Sequence, residues 1–298
     1  MGLSFAVIGT GAVGGYYGAL LQRVGCDVHF LVRSDYDHVR QHGLQVDSKN
    51  GDFILPKVNA YSQARDMPRC DVVIVCLKSY DNIVLPEILP HVVRDEGCVL
   101  LLQNGLGAEK AIQEIVPQCT VLGGLSFLCS NKIGPGHIHH LDYGRIAIGE
   151  FSRDGEPVGV TETMQAVARA FKKADVPISL LEDLMLARWM KLVWNVPFNG
   201  LCVVLNTTTD KLMANTATRA LSRELMDEVV AGAAALGRTI PSPFVEKMVN
   251  DTVKMASYNP SMKLDYDAGR RMEVEAIYGE PLRMARAAGA DMPKVRML

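Results

Sequence analysis

Apolar and polar positions alternate in blocks of two kinds along this chain, and the kind changes near residue 180. Ser4-Phe5-Ala6-Val7-Ile8 is a short apolar, partly β-branched run that ends in glycine, as a buried parallel strand does. Ala12 to Val24 then carries helical spacing, Gly25 closes it, and Asp27 to Val32 reads as a second strand. Strand, tight turn, helix and strand in so short a span form a βαβ unit. Asp71 to Leu77 and Cys98 to Leu102 continue the strand series, with a helical stretch from Asn82 to Val93 between them. Val121 to Leu125 and Arg145 to Gly149 read as later strands at one end of the sheet. Beyond about Leu180 helical periods dominate, over Leu181 to Leu205, Thr216 to Leu236, Pro243 to Met255 and Asp265 to Ala288.

The fold class expected is therefore α/β: an N-terminal Rossmann-type, doubly wound sheet over residues 1–181, followed by an all-helical domain over residues 182–298. No Gly/Ser-rich linker separates the two, so they are expected to pack together and to hold the active site in their cleft.

Composition narrows the functions open to such a chain. It has 298 residues, 48% hydrophobic and 21% charged, the balance of a soluble globular protein. Lys and Arg number 31 against 33 Asp and Glu, a net charge of −2 that gives no support to nucleic-acid or membrane-surface binding. Seven cysteines show no CxxC pair, which fits reduced thiols and a cytoplasmic setting. The apolar start, Leu3 to Ile8, is too short for a signal or a membrane span. The run His137-Ile138-His139-His140 suggests metal binding only weakly. Adjacent strand residues point to opposite faces, and no acidic or Cys ligands lie nearby in sequence, so no metal is expected.

The chemistry begins at the first turn. Gly9-Thr10-Gly11-Ala12-Val13-Gly14 matches GxGxxG between a strand and a helix, the context in which the pattern means dinucleotide binding. The first glycine permits the turn, the second lets backbone approach a pyrophosphate, and the third lets helix pack on strand. Arg33, at the end of the second strand, suits the 2′-phosphate of NADP, whereas Asp35 two residues on keeps NAD open. Lys78 ends the next strand and adds a second cation for that phosphate. Asn104 follows the strand after it, at the place for a nicotinamide ribose.

In the helical half, Lys191, Asn195 and Asn199 recur at i, i+4 and i+8 within a strongly apolar run and so share one helix face. A cation and two amides are costly against a core, which makes them cleft-lining groups, with Pro197 kinking that wall. Asn206 reads as a cap or turn residue. Ser261 reads as the N-cap of a long helix that also carries Glu273. Glu273 has three readings: a contact to a nicotinamide ribose hydroxyl, a partner of Lys191, or a salt bridge with Arg270.

Taken in order, the glycine turn Gly9 to Gly15, Leu77-Lys78-Ser79, Gln103-Asn104-Gly105, Lys191 with Asn195 and Asn199, and Ser261 with Glu273 resemble the ketopantoate reductases (2-dehydropantoate 2-reductases) over nearly the whole chain. Gly134-Pro135-Gly136 before His139-His140 also looks like that family. The resemblance implies NADPH-dependent reduction of 2-dehydropantoate to pantoate, on the route to pantothenate and coenzyme A. It makes Lys191 the general acid with Glu273 beside it in the catalytic machinery, and Asn195, Asn199 and Ser261 the substrate-binding groups. The NADP contacts it implies are Gly9, Thr10, Gly11, Ala12, Val13, Gly14, Arg33, Lys78, Asn104 and Glu273. A bulkier stretch from Trp194 to Phe198, and Thr207-Thr208-Thr209 without an asparagine, depart from the pattern. They leave open a dehydrogenase of another 2-oxo or 3-hydroxy acid. A non-catalytic NADP sensor is a third reading, and the intact Lys191 stripe speaks against it. The partner implied is a small 2-oxo acid, and the helical domain suits a homodimer.

Overall fold

The computed structural model describes residues 2–298. Contacts divide the chain into one unit of residues 1–103 with 108–184 and another of residues 104–107 with 185–298.

The first unit is built on a mixed sheet. Its strands are β1 (Ser4–Ile8), β2 (Asp27–Leu31), β3 (Leu44–Ser48), β4 (Phe53–Leu55), β5 (Asn59–Tyr61), β6 (Cys70–Val75), β7 (Val93–Leu101), β8 (Thr120–Gly134), β9 (His137–Glu150) and β10 (Ile178–Leu181). Their order is β4-β3-β9-β8-β7-β6-β1-β2-β5, with β10 on β9. The run β8-β7-β6-β1-β2-β5 is parallel throughout, which is the doubly wound core expected. The helices are α1 (Ala12–Arg23), α2 (Tyr36–His42), α3 (Leu85–Val92), α4 (Ala108–Ile115) and α5 (Glu162–Lys173).

Every side chain of β1 is buried. Phe5 and Val7 pack into one apolar layer with Tyr17 and Leu21 of α1, while Ala6 and Ile8 pack into the other with Leu85 and Leu89 of α3. That alternation is why β1 reads as an unbroken apolar run: a strand covered on both faces has no polar side.

Three features differ from the sequence expectation. The late strands, expected as separate strands at one end of the sheet, are longer than expected and form one antiparallel hairpin, β8 with β9. β9 pairs β3 through His137 to His140 and β10 through Ile146 to Gly149, so it serves three neighbours. The helix expected from Asn82 begins as a 3₁₀ turn, Ser79–Val84, and becomes α-helical only at Leu85, ahead of Pro86.

The second unit holds α6 (Leu184–Val204), α7 (Thr209–Ala214), α8 (Thr216–Ala235), α9 (Pro243–Lys254), α10 (Ser261–Asp267), α11 (Glu280–Ala287) and α12 (Pro293–Met297), the first residue of α6 being counted with the sheet unit. Trp189, Val193, Phe198, Met226, Val229 and Ile277 form the centre of its own core. Asn206 follows α6 at φ +47°, a left-handed turn residue. The long helix expected from Ser261 is interrupted. α10 stops at Asp267, Gly269 turns the chain at φ +64°, and helix resumes with a π-turn over Glu275–Gly279 before α11. Among the described residues no helix is long and apolar enough to cross a membrane.

Candidate active site

The order of strands puts the reversal of direction at β1, with β2 on one side and β6 on the other. Ligands of doubly wound sheets lie outside the carboxyl ends at such a point. Here that place is filled by the glycine turn. Gly9 has φ +94°, and a Cβ on it would sit 2.9 Å from backbone atoms of Cys76 and Leu77. A Cβ on Gly14 would lie 2.3 Å from the Gly9 carbonyl oxygen. Gly11 is different: it caps α1 in an extended conformation and a Cβ there would meet nothing within 4 Å. The first turn of α1 has no acidic residue and no side-chain cap, so its positive end faces open space. Backbone of this shape, with room over Gly11, fits a pyrophosphate. The Thr10 hydroxyl donates to the Leu31 carbonyl at 3.1 Å and ties the turn to the end of β2.

Arg33 and Ser34 are exposed just past β2, where a ribose phosphate is expected. Asp35 is not available in the same way. Its side chain is 8% exposed and paired with Lys132 Nζ at 2.7 Å, and it accepts the Gly136 N–H at 2.8 Å. Burial raises its carboxyl group, but Lys132 and the Gly136 amide outweigh that and hold it below the usual carboxylate range. Lys78 is half-buried at the carboxyl end of β6. Beside it, Gln103 is nearly buried and forms a reciprocal amide pair with Asn82 at 2.7 and 3.0 Å, and it donates to the Leu77 carbonyl at 2.7 Å. Gln103 thus fixes the backbone that presents Lys78, a role the sequence reading did not separate from that of Asn104.

Asn104 is half-buried and belongs to the helical unit with its neighbours. Gly105 has φ +85°, and the Leu106 N–H donates to the Ala276 carbonyl at 3.0 Å. A Cβ at residue 105 would lie 2.2 Å from that same oxygen, so only glycine fits.

Lys191, Asn195 and Asn199 lie along one face of α6, as their spacing predicts. Lys191 is half-buried, Asn195 is 7% exposed and Asn199 is 1% exposed. Asn199 Oδ1 accepts the Met262 N–H at 3.0 Å, and the Ser261 hydroxyl lies 3.5 Å from the same oxygen. The sequence reading placed Ser261 as an N-cap. It is instead the first residue of α10, with Pro260 in the cap position, and Asn199 supplies the acceptor that a cap would have given. Pro197 sits inside α6, and the Tyr278 hydroxyl donates to the neighbouring Val196 carbonyl at 2.9 Å. Trp194 and Phe198 stack beside this face, 4.9 Å between ring centroids, and Tyr258 lies 6.2 Å from Trp194.

Glu273 is 3% exposed, and its carbonyl receives the Ile277 N–H at 3.2 Å at the entrance to the π-turn. Arg270, the alternative partner from spacing, is bonded elsewhere: its Nε meets Asp265 Oδ1 at 2.9 Å, and its N–H meets the Asp265 carbonyl at 2.8 Å. Asp265, with a side chain 4% exposed, thereby braces the bend that carries Glu273. The sequence reading passed over Asp265 because it takes the bend at Gly269 to make its partnership with Arg270 visible.

His137 does have an acidic neighbour, contrary to the sequence expectation: Asp47 on β3 lies 2.7 Å from its Nε2. Even so, among the described residues no group of three His, Cys, Asp or Glu could hold a metal ion. Two of the buried cysteines are poor nucleophiles. Burial pushes the Cys70 thiol up to about 11 and the Cys202 thiol up to about 12.

A sheet with a parallel core and an open glycine turn at its switch point, followed in the chain by a helical unit bearing a lysine–asparagine–asparagine face, defines the class of Rossmann-type nicotinamide-dependent oxidoreductases. Comparison with known proteins narrows that class. Residues 5–153 match the family described as "Ketopantoate reductase PanE/ApbA", and residues 183–298 match "Ketopantoate reductase PanE/ApbA C terminal". The chain belongs to the ketopantoate reductase family. It is 55% identical to a 2-dehydropantoate 2-reductase of Nostoc sp. across 99% of this chain and 92% of that one. Its structure superposes on a 2-dehydropantoate 2-reductase of Geobacter metallireducens with TM-score 0.94 and 42% identity, covering 99% and 97% of the two chains. The corresponding values for the enzyme of Methylococcus capsulatus are 0.91, 33%, 99% and 94%.

Proposed function

We infer that this protein reduces 2-dehydropantoate to (R)-pantoate with NADPH, in pantothenate and coenzyme A biosynthesis. The observation that carries the reading is the meeting of Asn199 with Ser261 and the Met262 amide beside Lys191 and Asn195. That contact brings Ser261 to the same helix face as Lys191 and Asn195, which supports reading these groups together as the place for a small oxo acid.

When bound, the reduced nicotinamide supplies the hydride for C2 of the substrate. The protein's own groups do the rest. Negative charge builds on the ketone oxygen as C2 is reduced, and the Lys191 ammonium stabilises it and then donates the proton. Asn195, Asn199 and Ser261 hold the carboxylate and hydroxyl of the substrate so that its ketone faces Lys191. Gly9, Thr10, Gly11, Ala12, Val13 and Gly14 hold the pyrophosphate, Arg33 and Lys78 the adenosine 2′-phosphate, and Asn104 the nicotinamide ribose. Glu273 serves either that ribose or Lys191. Glu273→Gln separates the two uses, raising KM for NADPH in the first case and shifting the pH profile of kcat in the second. On this reading residues 1–181 carry the cofactor and residues 182–298 the substrate and the acid.

The near balance of charge and the absence of a long apolar helix among the described residues support a small-molecule enzyme of the cytoplasm. A homodimer fits as well, since a dimeric ketopantoate reductase of Staphylococcus aureus shares the fold at TM-score 0.81. Light scattering on the purified protein tests the dimer.

The aromatic group of Trp194, Phe198 and Tyr258 beside this face favours a second reading, a different 2-oxo acid or a 3-hydroxy acid as substrate. Initial rates over a panel of oxo acids, with NADPH and with NADH, decide between the two. Oxidation of neither cofactor by 2-dehydropantoate overturns the main reading.

A further inference from the structure

The end of β2 carries two opposed signals. Arg33 is the residue type that receives a 2′-phosphate, and Asp35 is the type that accepts from a free ribose 2′-hydroxyl. The structure shows how the second signal is silenced. Lys132 Nζ and the Gly136 amide both bind Asp35 Oδ2, at 2.7 and 2.8 Å, and both come from the turn region of the β8–β9 hairpin. Asp35 is also committed through its backbone, since its carbonyl receives the Val39 N–H at 2.9 Å inside α2. Its carboxylate is largely removed from solvent, whereas Arg33 is exposed. Lys132 itself remains 28% exposed along its side chain, so its head stays in reach of water while it binds Asp35.

The electrostatic consequence follows directly. With Lys132 in place, Arg33, Asp35 and Lys132 leave this corner with one net positive charge. Without it the corner is neutral, and the Asp35 carboxylate, left with the Gly136 amide at 2.8 Å and the Ser34 hydroxyl at 3.5 Å, carries an uncompensated charge two residues from Arg33.

We propose that Lys132 is a specificity-determining residue for the cofactor: by binding Asp35 it keeps the end of β2 selective for a 2′-phosphorylated dinucleotide. It acts through Asp35 and is therefore a positioning residue. The inference rests on the NADP reading above and deepens it.

The test uses the full-length protein in five forms: wild type, Lys132→Ala, Lys132→Arg, Asp35→Asn and the double variant Lys132→Ala/Asp35→Asn. Binding of adenosine 2′,5′-bisphosphate and of AMP is measured by calorimetry, alongside kcat/KM for NADPH and NADH. Loss of one unit charge beside a phosphate should weaken bisphosphate binding about tenfold at the screening of a protein surface, and leave AMP binding unchanged or tighter. The NADPH-to-NADH ratio should fall by a similar factor in Lys132→Ala, stay near wild type in Lys132→Arg, and return to within a few-fold of wild type in the double variant.

A merely structural lysine gives a different pattern, with both ligands weakened together and no recovery on adding Asp35→Asn. That pattern, or an unchanged ratio in Lys132→Ala, overturns the proposal while leaving the NADP reading intact. A wild-type protein that binds AMP as tightly as the bisphosphate overturns both. Thermal unfolding of each form confirms that the variants compared are folded, and Lys132→Arg with Asp35→Asn keeps the comparison decisive if Lys132→Ala unfolds.

Discussion

Gly11 and Gly14 belong to one motif but do different work, and alanine at each position separates the two roles. At Gly11 the backbone is extended, φ −94° and ψ −154°, and an added Cβ meets nothing within 4 Å. Gly11→Ala should therefore fold normally, and should gain about 0.4–1 kcal/mol because the unfolded chain loses freedom. The methyl group instead occupies the space over the turn, where the pyrophosphate must approach the backbone. Loss of one or two charge-assisted N–H···O bonds, about 1.5–3 kcal/mol each, weakens NADPH binding by about tenfold to about 10⁴-fold. Gly14→Ala has the opposite profile. Its Cβ would stand 2.3 Å from the Gly9 carbonyl oxygen and 3.0 Å from Cys76 Cβ and Val7 Cγ1, so α1 must move off the sheet. Overpacking of this kind costs about 1–3 kcal/mol, and a lowered Tm without cofactor is the readout. Thermal unfolding of the apo protein and fluorescence titration with NADPH measure both effects. A folded Gly11→Ala protein that binds NADPH like wild type would refute the assignment of this turn to the pyrophosphate.

Three further outcomes are expected. Lys191→Ala should lower kcat by about 10²–10⁴-fold, the usual cost of losing a general acid. Wild-type turnover in that variant removes Lys191 from the chemistry. Asp265→Asn should lower kcat by releasing the bend that carries Glu273, and it should cost little more when Glu273→Gln is already present; additive losses would make Asp265 a stability residue only. His140 gives a pH dependence. It is buried against Tyr16, its Nδ1 lies 2.8 Å from Ser48 Oγ and its Nε2 3.2 Å from the Tyr143 carbonyl, which assigns the proton to Nε2 and the acceptor role to Nδ1. Burial disfavours its charged form and lowers its pKa from the ordinary 6.5. The unfolded chain then takes up a proton that the native state does not, so stability falls as pH drops from about 6.5 toward 5. His140→Gln should flatten that part of the Tm-versus-pH curve, and an unchanged slope would exclude His140 as its source.

The doubly wound half was legible where burial on both faces leaves no polar residue, as in β1, or where a motif has a fixed place, as in the glycine turn. The Lys191–Asn195–Asn199 face was legible for a related reason, since three polar residues at helical spacing stand out in an apolar run. Other parts were hidden by their length or composition. β4 and β5 have three residues each, and β8 and β9 pass through a polar, glycine-containing stretch that reads as loop although it is paired along most of its length. The break between α10 and the π-turn rests on Gly269 alone, against a helical pattern on both sides. Partnerships were the least visible of all. The acceptor role of Asp35 toward the Gly136 amide spans 101 residues and that of Asn199 toward Met262 spans 63, and neither leaves a local mark. The Arg270 reading of Glu273 depended on (i, i+3) geometry, which holds on a continuous helix, and the chain bends there.

The triple pairing of β9 bears on how this chain can change length. A residue inserted within 137–150 would put the strand out of step with β8, and with β3 or β10 as well, turning buried side chains such as Ile138, Ile146 and Ile148 outward. The exposed stretch 153–158 that follows pairs with no strand and carries no such constraint. Insertions and deletions among descendants of this sequence should therefore collect in that stretch and spare β9, and a library of single-residue insertions scored for folded protein would show the same division.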